Sequence, residues 1–199
     1  MSLGVIILAA GESARMGEPK QLLPFRGTTL LGHAIATARE MPEAEIVVVL
    51  GAHAEQIRPH VTAADPGVLI AENPAWAEGM SGSIRAGLLA LTGAHPEISA
   101  ALFLVCDQPL LASAVLHDLV EAQERTGRPI AACEYGGTLG VPALFARSLF
   151  SELFTLQGTA GARQLIQRHR EETVGVPCEA ATMDVDTPAD YARLRLTMP

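Results

Sequence analysis

Short runs of apolar residues alternate along the chain with longer stretches in which apolar positions recur every three or four residues. The runs are Val5–Ala9, Glu45–Leu50, Val68–Ala71, Ala100–Cys106 and Pro129–Cys133, with later ones near Thr173–Val176 and Thr182–Val185. Ile46-Val47-Val48-Val49-Leu50 shows no polar alternation, the mark of a strand covered on both faces. Between the runs, helical spacing joins Leu30, Leu31, Ala34, Ile35 and Ala38 behind Thr28 and Thr29 as caps. The same spacing joins Ile84, Leu88, Leu89 and Leu91, and again Val115, Leu116, Leu119 and Val120. A last helix is expected from Pro188, with Thr187 as its cap. The alternation predicts a three-layer α/β fold: a mostly parallel sheet of about seven strands with helices on both faces. No repeat, low-complexity tract or linker divides the chain, so residues 1–199 are expected to form a single domain.

In such sheets ligands bind beyond the carboxyl ends of the strands, which directs attention to four loops. The first runs from Ala9 and Ala10 through Gly11-Glu12-Ser13-Ala14-Arg15-Met16-Gly17-Glu18-Pro19-Lys20. Its glycines allow close backbone approach, and backbone N–H groups with Arg15 and Lys20 suit a polyphosphate. It is not a Walker loop, since no Gly-Lys-Ser/Thr follows Gly17, and it is not G-x-G-x-x-G, since Ser13 breaks that pattern. The other loops hold Cys106-Asp107-Gln108-Pro109, Asn73 with Ser81-Gly82-Ser83, and Asp184-Val185-Asp186-Thr187.

Asp107 follows a buried run and stands at the mouth of the cleft, a place for a hard cation such as Mg2+ or for a helix cap. Asp184 and Asp186 alternate on an extended segment, so only one of them faces a given cleft, and Asp186 is also suited to begin a helix cap. Ser81, Gly82 and Ser83 are expected just before a helix, with N–H groups and hydroxyls offered to an anion or a base. Arg85, a cation near that helix start, suits a ligand role or a surface salt bridge equally. Arg163 follows a second glycine-rich approach, Gly158 to Gly161, and Trp76 reads as a packing residue.

Composition narrows the partners. The formal net charge is −8 and aromatic residues make up 4%, which leaves neither a basic footprint nor stacking platforms for nucleic acid. The chain is 49% hydrophobic without a run long enough for a membrane span, and its first apolar run reads as a strand, not a signal. Cys106, Cys133 and Cys178 form no C-x-x-C pair, which suits reduced thiols in a cytoplasmic protein. The six histidines show no zinc spacing.

Together, Leu8-Ala9-Ala10-Gly11-x-Ser13-x-Arg15-Met16-Gly17-x-x-Lys20 and Gln21-Leu22-Leu23-Pro24 resemble the signature of the molybdopterin nucleotidyltransferase family. Asn73-x-x-Trp76-x-x-Gly79-Met80-x-x-Ser83-x-x-Ala86-Gly87-Leu88 is similar to a block of its cytidylyltransferase branch. Cys106-Asp107-Gln108-Pro109, Gly140-x-Pro142-x-Leu144-Phe145, Gly161-Ala162-Arg163 and Asp184-x-Asp186-Thr187-Pro188-x-Asp190-Tyr191 follow in the family's order. The resemblance spans nearly the whole chain. It departs at Val141, where the pattern carries His, and at Thr159, where it carries Asp, both on the acceptor side.

The resemblance implies a nucleotide-diphospho-sugar transferase-like fold and transfer of CMP from CTP to molybdenum-molybdopterin, with release of pyrophosphate. It implies Arg15, Lys20 and Asp107 as catalytic residues. Ala9, Ala10, Gly11, Ser13, Asn73, Ser81, Gly82 and Ser83 would line the nucleotide site. Asp107, with Asp186 or Asp184, would hold Mg2+. An apo molybdenum hydroxylase would receive the product. Two alternatives stay open on the same scaffold: a sugar-phosphate or GTP-using nucleotidyltransferase, and a non-catalytic factor that hands the cofactor to a hydroxylase. A nucleotide-dependent oxidoreductase is disfavoured by the missing G-x-G-x-x-G.

Overall fold

A computed structural model describes residues 2–197. Met1, Met198 and Pro199, the ends of the expected domain, lie outside the described residues. The chain runs through β1 (Leu3–Leu8), the small hairpin β2 (Pro24–Phe25) and β3 (Thr28–Thr29), then α1 (Leu30–Arg39), β4 (Glu45–Leu50), α2 (Ala54–Ala64) and β5 (Leu69–Glu72). It continues with α3 (Met80–Ala94), β6 (Ala100–Val105), α4 (Ser113–Thr126), β7 (Ile130–Tyr135) and β8 (Thr138–Ala146). Last come α5 (Phe150–Thr155), α6 (Ala162–Arg168), β9 (Thr173–Pro177) and α7 (Pro188–Leu196).

The main sheet has seven strands in the order β5-β4-β1-β6-β8-β7-β9. All neighbouring pairs are parallel except those made by β8, which is antiparallel to both β6 and β7. After β1 the chain builds outward through β4 and β5, then returns to lay β6 on the other side of β1. That reversal opens a crevice beyond the carboxyl ends of β1 and β6, where such sheets take their ligands.

Alternation along β1 divides the core. Val5 and Ile7 face a cluster with Leu31 and Ile35 of α1, Ile57 of α2 and Leu116 of α4. Ile6 and Leu8 face a second cluster with Ile84 and Leu88 of α3, Phe150 of α5 and Leu165 of α6. On that face α3 rides very close to the sheet: a Cβ on Gly87 would stand 2.6 Å from Ile6 Cγ2 and 2.7 Å from Val49 Cγ2. A third, smaller cluster joins Met16, Leu23, Phe25, Leu30, Val185 and Leu194, and so fastens α7 and the segment before it onto the first loop. Of the expected caps, Thr29 and Thr187 form, while Thr28 lies in the hairpin strand β3. Thr29 accepts from Gly32 N–H at the start of α1, and Thr187 with Asp190 closes a capping box at α7 with Pro188 in its first turn.

Three expectations change. Thr182–Val185 is not a strand; Glu179–Thr182 forms a 3-10 turn and the following residues run extended without a ladder. The seventh strand is β8, whose Gly140 and Pro142 disguise it. The β7–β8 register jumps there, from Ala132↔Ala143 to Cys133↔Gly140, so Pro142 needs no ladder bond. Helix α2 is also unforeseen: it buries only Ile57 and Val61 and carries Pro59 inside it.

Candidate active site

The crevice is built first from the loop after β1. Ser13 takes a left-handed backbone conformation (φ 60°), and its carbonyl accepts from the N–H groups of Met16 and Gly17. Its hydroxyl accepts from Lys20 N–H at 3.1 Å and donates to Gln21 Oε1 at 3.3 Å. Gln21, 1% exposed, donates through Nε2 to the carbonyls of Ala9 and Gly11, both at 2.9 Å. One buried amide thus ties the two ends of the loop together and fixes the backbone of Ala9–Gly11 along the crevice wall. Arg15 and Lys20 project from the far side of the same loop.

Those cations meet two carboxylates. Lys20 Nζ donates to Asp107 Oδ2 at 2.6 Å and to Asp186 Oδ1 at 2.7 Å; Arg15 donates to Asp186 Oδ2 at 2.8 Å. Asp107 stands just past β6, beside the end of β1, because Leu8 pairs with Val105. Asp186 is brought in by the segment before α7, which Val185 N–H anchors to the Asp107 carbonyl at 2.9 Å. Burial opposes the charge on Lys20, but the Asp107 charge and the hydrogen bonds it donates to both aspartates outweigh it and raise its pKa above the usual lysine range. The hydrogen bond from Lys20 holds Asp186 below the ordinary carboxylate range. Asp184, on the same segment, forms no ion pair with Lys20 or Arg15. Burial and the Asp107 charge push its pKa up.

The opposite wall comes from the segment between β5 and α3. Buried Asn73 donates to Ser83 Oγ at 3.0 Å and accepts from Ala75 N–H at 3.1 Å. Gly82 packs on Asn73, where a Cβ would come within 2.9 Å of Nδ2. Ser81, Gly82 and Ser83 lie inside the first turn of α3, not before it. Ser81 gives both its N–H and its hydroxyl to the Gly158 carbonyl, at 3.3 and 2.8 Å, so these donors hold a loop and are not free for a ligand. Gly79, at φ +120°, packs so tightly on Gly158 that a Cβ would fall 2.3 Å from its carbonyl oxygen. Arg85 acts on the same loop by donating to the Leu156 carbonyl, and Arg163 donates to Thr138 Oγ1 at 2.8 Å.

Between these walls lies an open cavity of about 270 Å³ lined by Leu8, Ala9, Ala10, Gly11, Lys20, Gln21, Trp76, Gly79, Met80, Ser83, Val105, Cys106 and Asp107. Of the residues singled out from sequence, Ala9, Ala10, Gly11, Lys20, Ser83 and Asp107 line it directly. Ser13 and Asn73 stand behind its walls, and Arg15 and Asp186 join through the ion-pair network. Gln21 is the organising residue; it stands in the resembled signature, yet no role follows for it from the sequence. Trp76 and Met80 also reach the cavity. Asp107 and Asp186 are hard oxygen donors converging on one point, which a cation already fills, and that donor set fits Mg2+. Among the described residues no three His, Cys, Asp or Glu side chains gather to hold an ion, so the rest of its shell would come from water and phosphate oxygens.

A family model, the MobA-like NTP transferase domain, matches residues 5–174. The mycobacterial protein Rv0371c from Mycobacterium tuberculosis H37Rv is 31% identical, with a TM-score of 0.82 and 98% of each chain covered. The same protein has been solved in complex with manganese, at a TM-score of 0.76 over 100% of each chain. Its homologue from Mycobacterium sp. strain JC1 is 34% identical, with a TM-score of 0.83 over 98% of this chain and 96% of that one. Among curated proteins, the bifunctional protein GlmU of Thermobifida fusca is 36% identical over 129 residues, 63% of this chain and 26% of its own. The chain thus spans about a quarter of the length of the curated relatives it matches. It belongs to the MobA-like NTP transferase family.

Proposed function

We propose that this MobA-like nucleotidyltransferase transfers CMP from CTP to the terminal phosphate of molybdenum-bound molybdopterin, giving the cytosine dinucleotide cofactor and pyrophosphate. The observation that carries nucleotidyl transfer is Lys20 set against Asp107 and Asp186 at the mouth of a cavity floored by Ala9–Gly11. The choice of CTP and of molybdopterin rests on the resemblance of the six sequence blocks. An acceptor phosphate oxygen attacks the α-phosphorus, the bond from that phosphorus to the bridging oxygen breaks, and the electron pair leaves with pyrophosphate. Both reactants are anionic. Lys20 and Arg15 lower their repulsion, and the rigid Ala9–Gly11 backbone holds the triphosphate in line. The nucleophile is already ionised near neutral pH, so no side chain needs to take a proton. Asp107 and Asp186 would hold Mg2+, which when bound neutralises the triphosphate. That a 31% identical relative has been solved as a manganese complex supports the use of a divalent ion. Ser83, held from behind by Asn73, would meet the nucleoside side. Free, buried Cys106, Cys133 and Cys178 suit a reducing, cytoplasmic setting, where an apo molybdenum hydroxylase would take the product.

One observation favours a different acceptor. Val141 and Thr159 stand where the resembled pattern carries His and Asp, and the curated relatives matched are GlmU proteins. A sugar phosphate on the same scaffold is therefore the second reading. Pyrophosphate release separates the two, measured with CTP, GTP, ATP and UTP, with molybdopterin or a sugar 1-phosphate as acceptor. Release that needs both CTP and molybdopterin is the expected result. Release with a sugar phosphate and another nucleotide would replace the first reading with the second. No release with any pair would refute both.

A further inference from the structure

We infer that Lys20 is an internal latch that occupies the metal position until a polyphosphate draws it away, so that the divalent ion enters with or after the nucleotide and not before it. This rests on the reading of Asp107 and Asp186 as the metal-holding pair. Lys20 Nζ lies 2.6 Å from Asp107 Oδ2 and 2.7 Å from Asp186 Oδ1, at the point on which both carboxylates converge. A magnesium ion bound by both would sit about 2.1 Å from each oxygen, in the space the ammonium fills. Both oxygens of Asp186 are already engaged by cations, Oδ1 by Lys20 and Oδ2 by Arg15 at 2.8 Å. Two cations do not share that point, so ligation by Asp186 requires the ammonium to leave.

The route out is visible. Lys20 lines the cavity, its side chain is 13% exposed, and its stem is flexible enough to turn the ammonium toward phosphates on the Ala9–Gly11 backbone. In the closed state two aspartates face two cations and the network is neutral. A triphosphate offers Lys20 a denser negative charge and leaves the aspartates in need of a new cation. The two ligands therefore help one another in, each binding better to the state the other favours. A latch closed nine-tenths of the time weakens apparent metal affinity about tenfold.

The sequence supplies a clean probe, because Lys20 is the only lysine in the chain and the remaining Lys/Arg cations are all arginines. Protein labelled with 15N-lysine has a single side-chain amine signal. Saturating inorganic tripolyphosphate, without metal, should move that signal and speed its proton exchange with water. Calorimetry with Mn2+ alone should show Lys20→Met binding about tenfold more tightly than wild type, and Asp107→Asn binding much more weakly. Equal or weaker Mn2+ binding by Lys20→Met, with Asp107→Asn still impaired, would overturn the latch and leave the metal site standing. A lysine signal unmoved by tripolyphosphate would overturn it without recourse to the variant. Should Asp107→Asn bind Mn2+ as well as wild type does, the metal site itself falls, and the latch with it.

Discussion

Replacing Gln21 by leucine keeps most of its volume and removes three hydrogen bonds: two to the Ala9 and Gly11 carbonyls at 2.9 Å, and one from Ser13 Oγ at 3.3 Å. A typical hydrogen bond contributes about 1 kcal/mol net, and a buried group left unpaired costs about 1–3 kcal/mol. The Ala9 bond is buried, whereas the Gly11 and Ser13 bonds are only partly so and water can take them over. The expected loss is therefore about 2–3 kcal/mol, which in a chain of this length lowers Tm by roughly 4–12 °C. Gln21→Glu should be worse, since it keeps the shape but sets a second acceptor against two carbonyls. Urea unfolding at unchanged m-value measures the loss, and the KM for nucleotide in pyrophosphate release reports the loosened Ala9–Gly11 wall. If Gln21→Leu unfolds within about 0.5 kcal/mol of wild type and keeps its nucleotide KM, the loop is not held by this amide.

Three further outcomes are expected. Asp107→Ala should lower turnover by on the order of a hundredfold or more through lost charge stabilisation, and near-normal pyrophosphate release would refute its role. Gly79→Ala places a Cβ 2.3 Å from the Gly158 oxygen at φ +120°, so thermal unfolding should show a loss of roughly 2 kcal/mol or more; an unchanged Tm would deny the contact. His169 bonds Glu152 of α5 and Glu172, and these hydrogen bonds raise its pKa above the ordinary histidine value. A raised histidine contributes fully below its unfolded pKa, and the contribution is lost as pH rises through the folded value. His169→Ala should accordingly cost more stability at about pH 5.5 than at about pH 9, and equal costs at both would contradict the bond.

The parallel half of the sheet was legible because β1, β4 and β6 are continuous apolar runs buried on both faces, a signal that needs no tertiary context. The caps Thr29 and Thr187 were legible for the same reason, since each bonds within three residues of itself. What stayed hidden depends on distant partners. Helix α2 offers few apolar positions, burying only Ile57 and Val61 and carrying Pro59 inside it, and β8 forms around Gly140 and Pro142 only because its neighbours tolerate a register jump. Thr182–Val185 is apolar enough for a strand, yet Val185 packs in the small cluster and its N–H is spent on Asp107. At the candidate site the residues Lys20, Asp107 and Asp186 were visible singly. Their meeting was not, because 87 and 166 positions separate Lys20 from its two partners. Ser81 illustrates the reverse case: a helix-start serine looked free to bind, and a carbonyl 77 residues away had already taken it.

The small cluster of Met16, Leu23, Phe25, Leu30, Val185 and Leu194 makes the ion-pair network depend on a part of the chain that adds no strand. All seven strands are complete at β9, yet to that point only Asp107 of the two carboxylates is in place and Lys20 lacks one partner. Helix α7 packs Leu194 in one cluster with Phe25 and the segment before it brings Asp186 in, so a substitution that loosens this docking would leave the sheet whole and unmake the carboxylate pair.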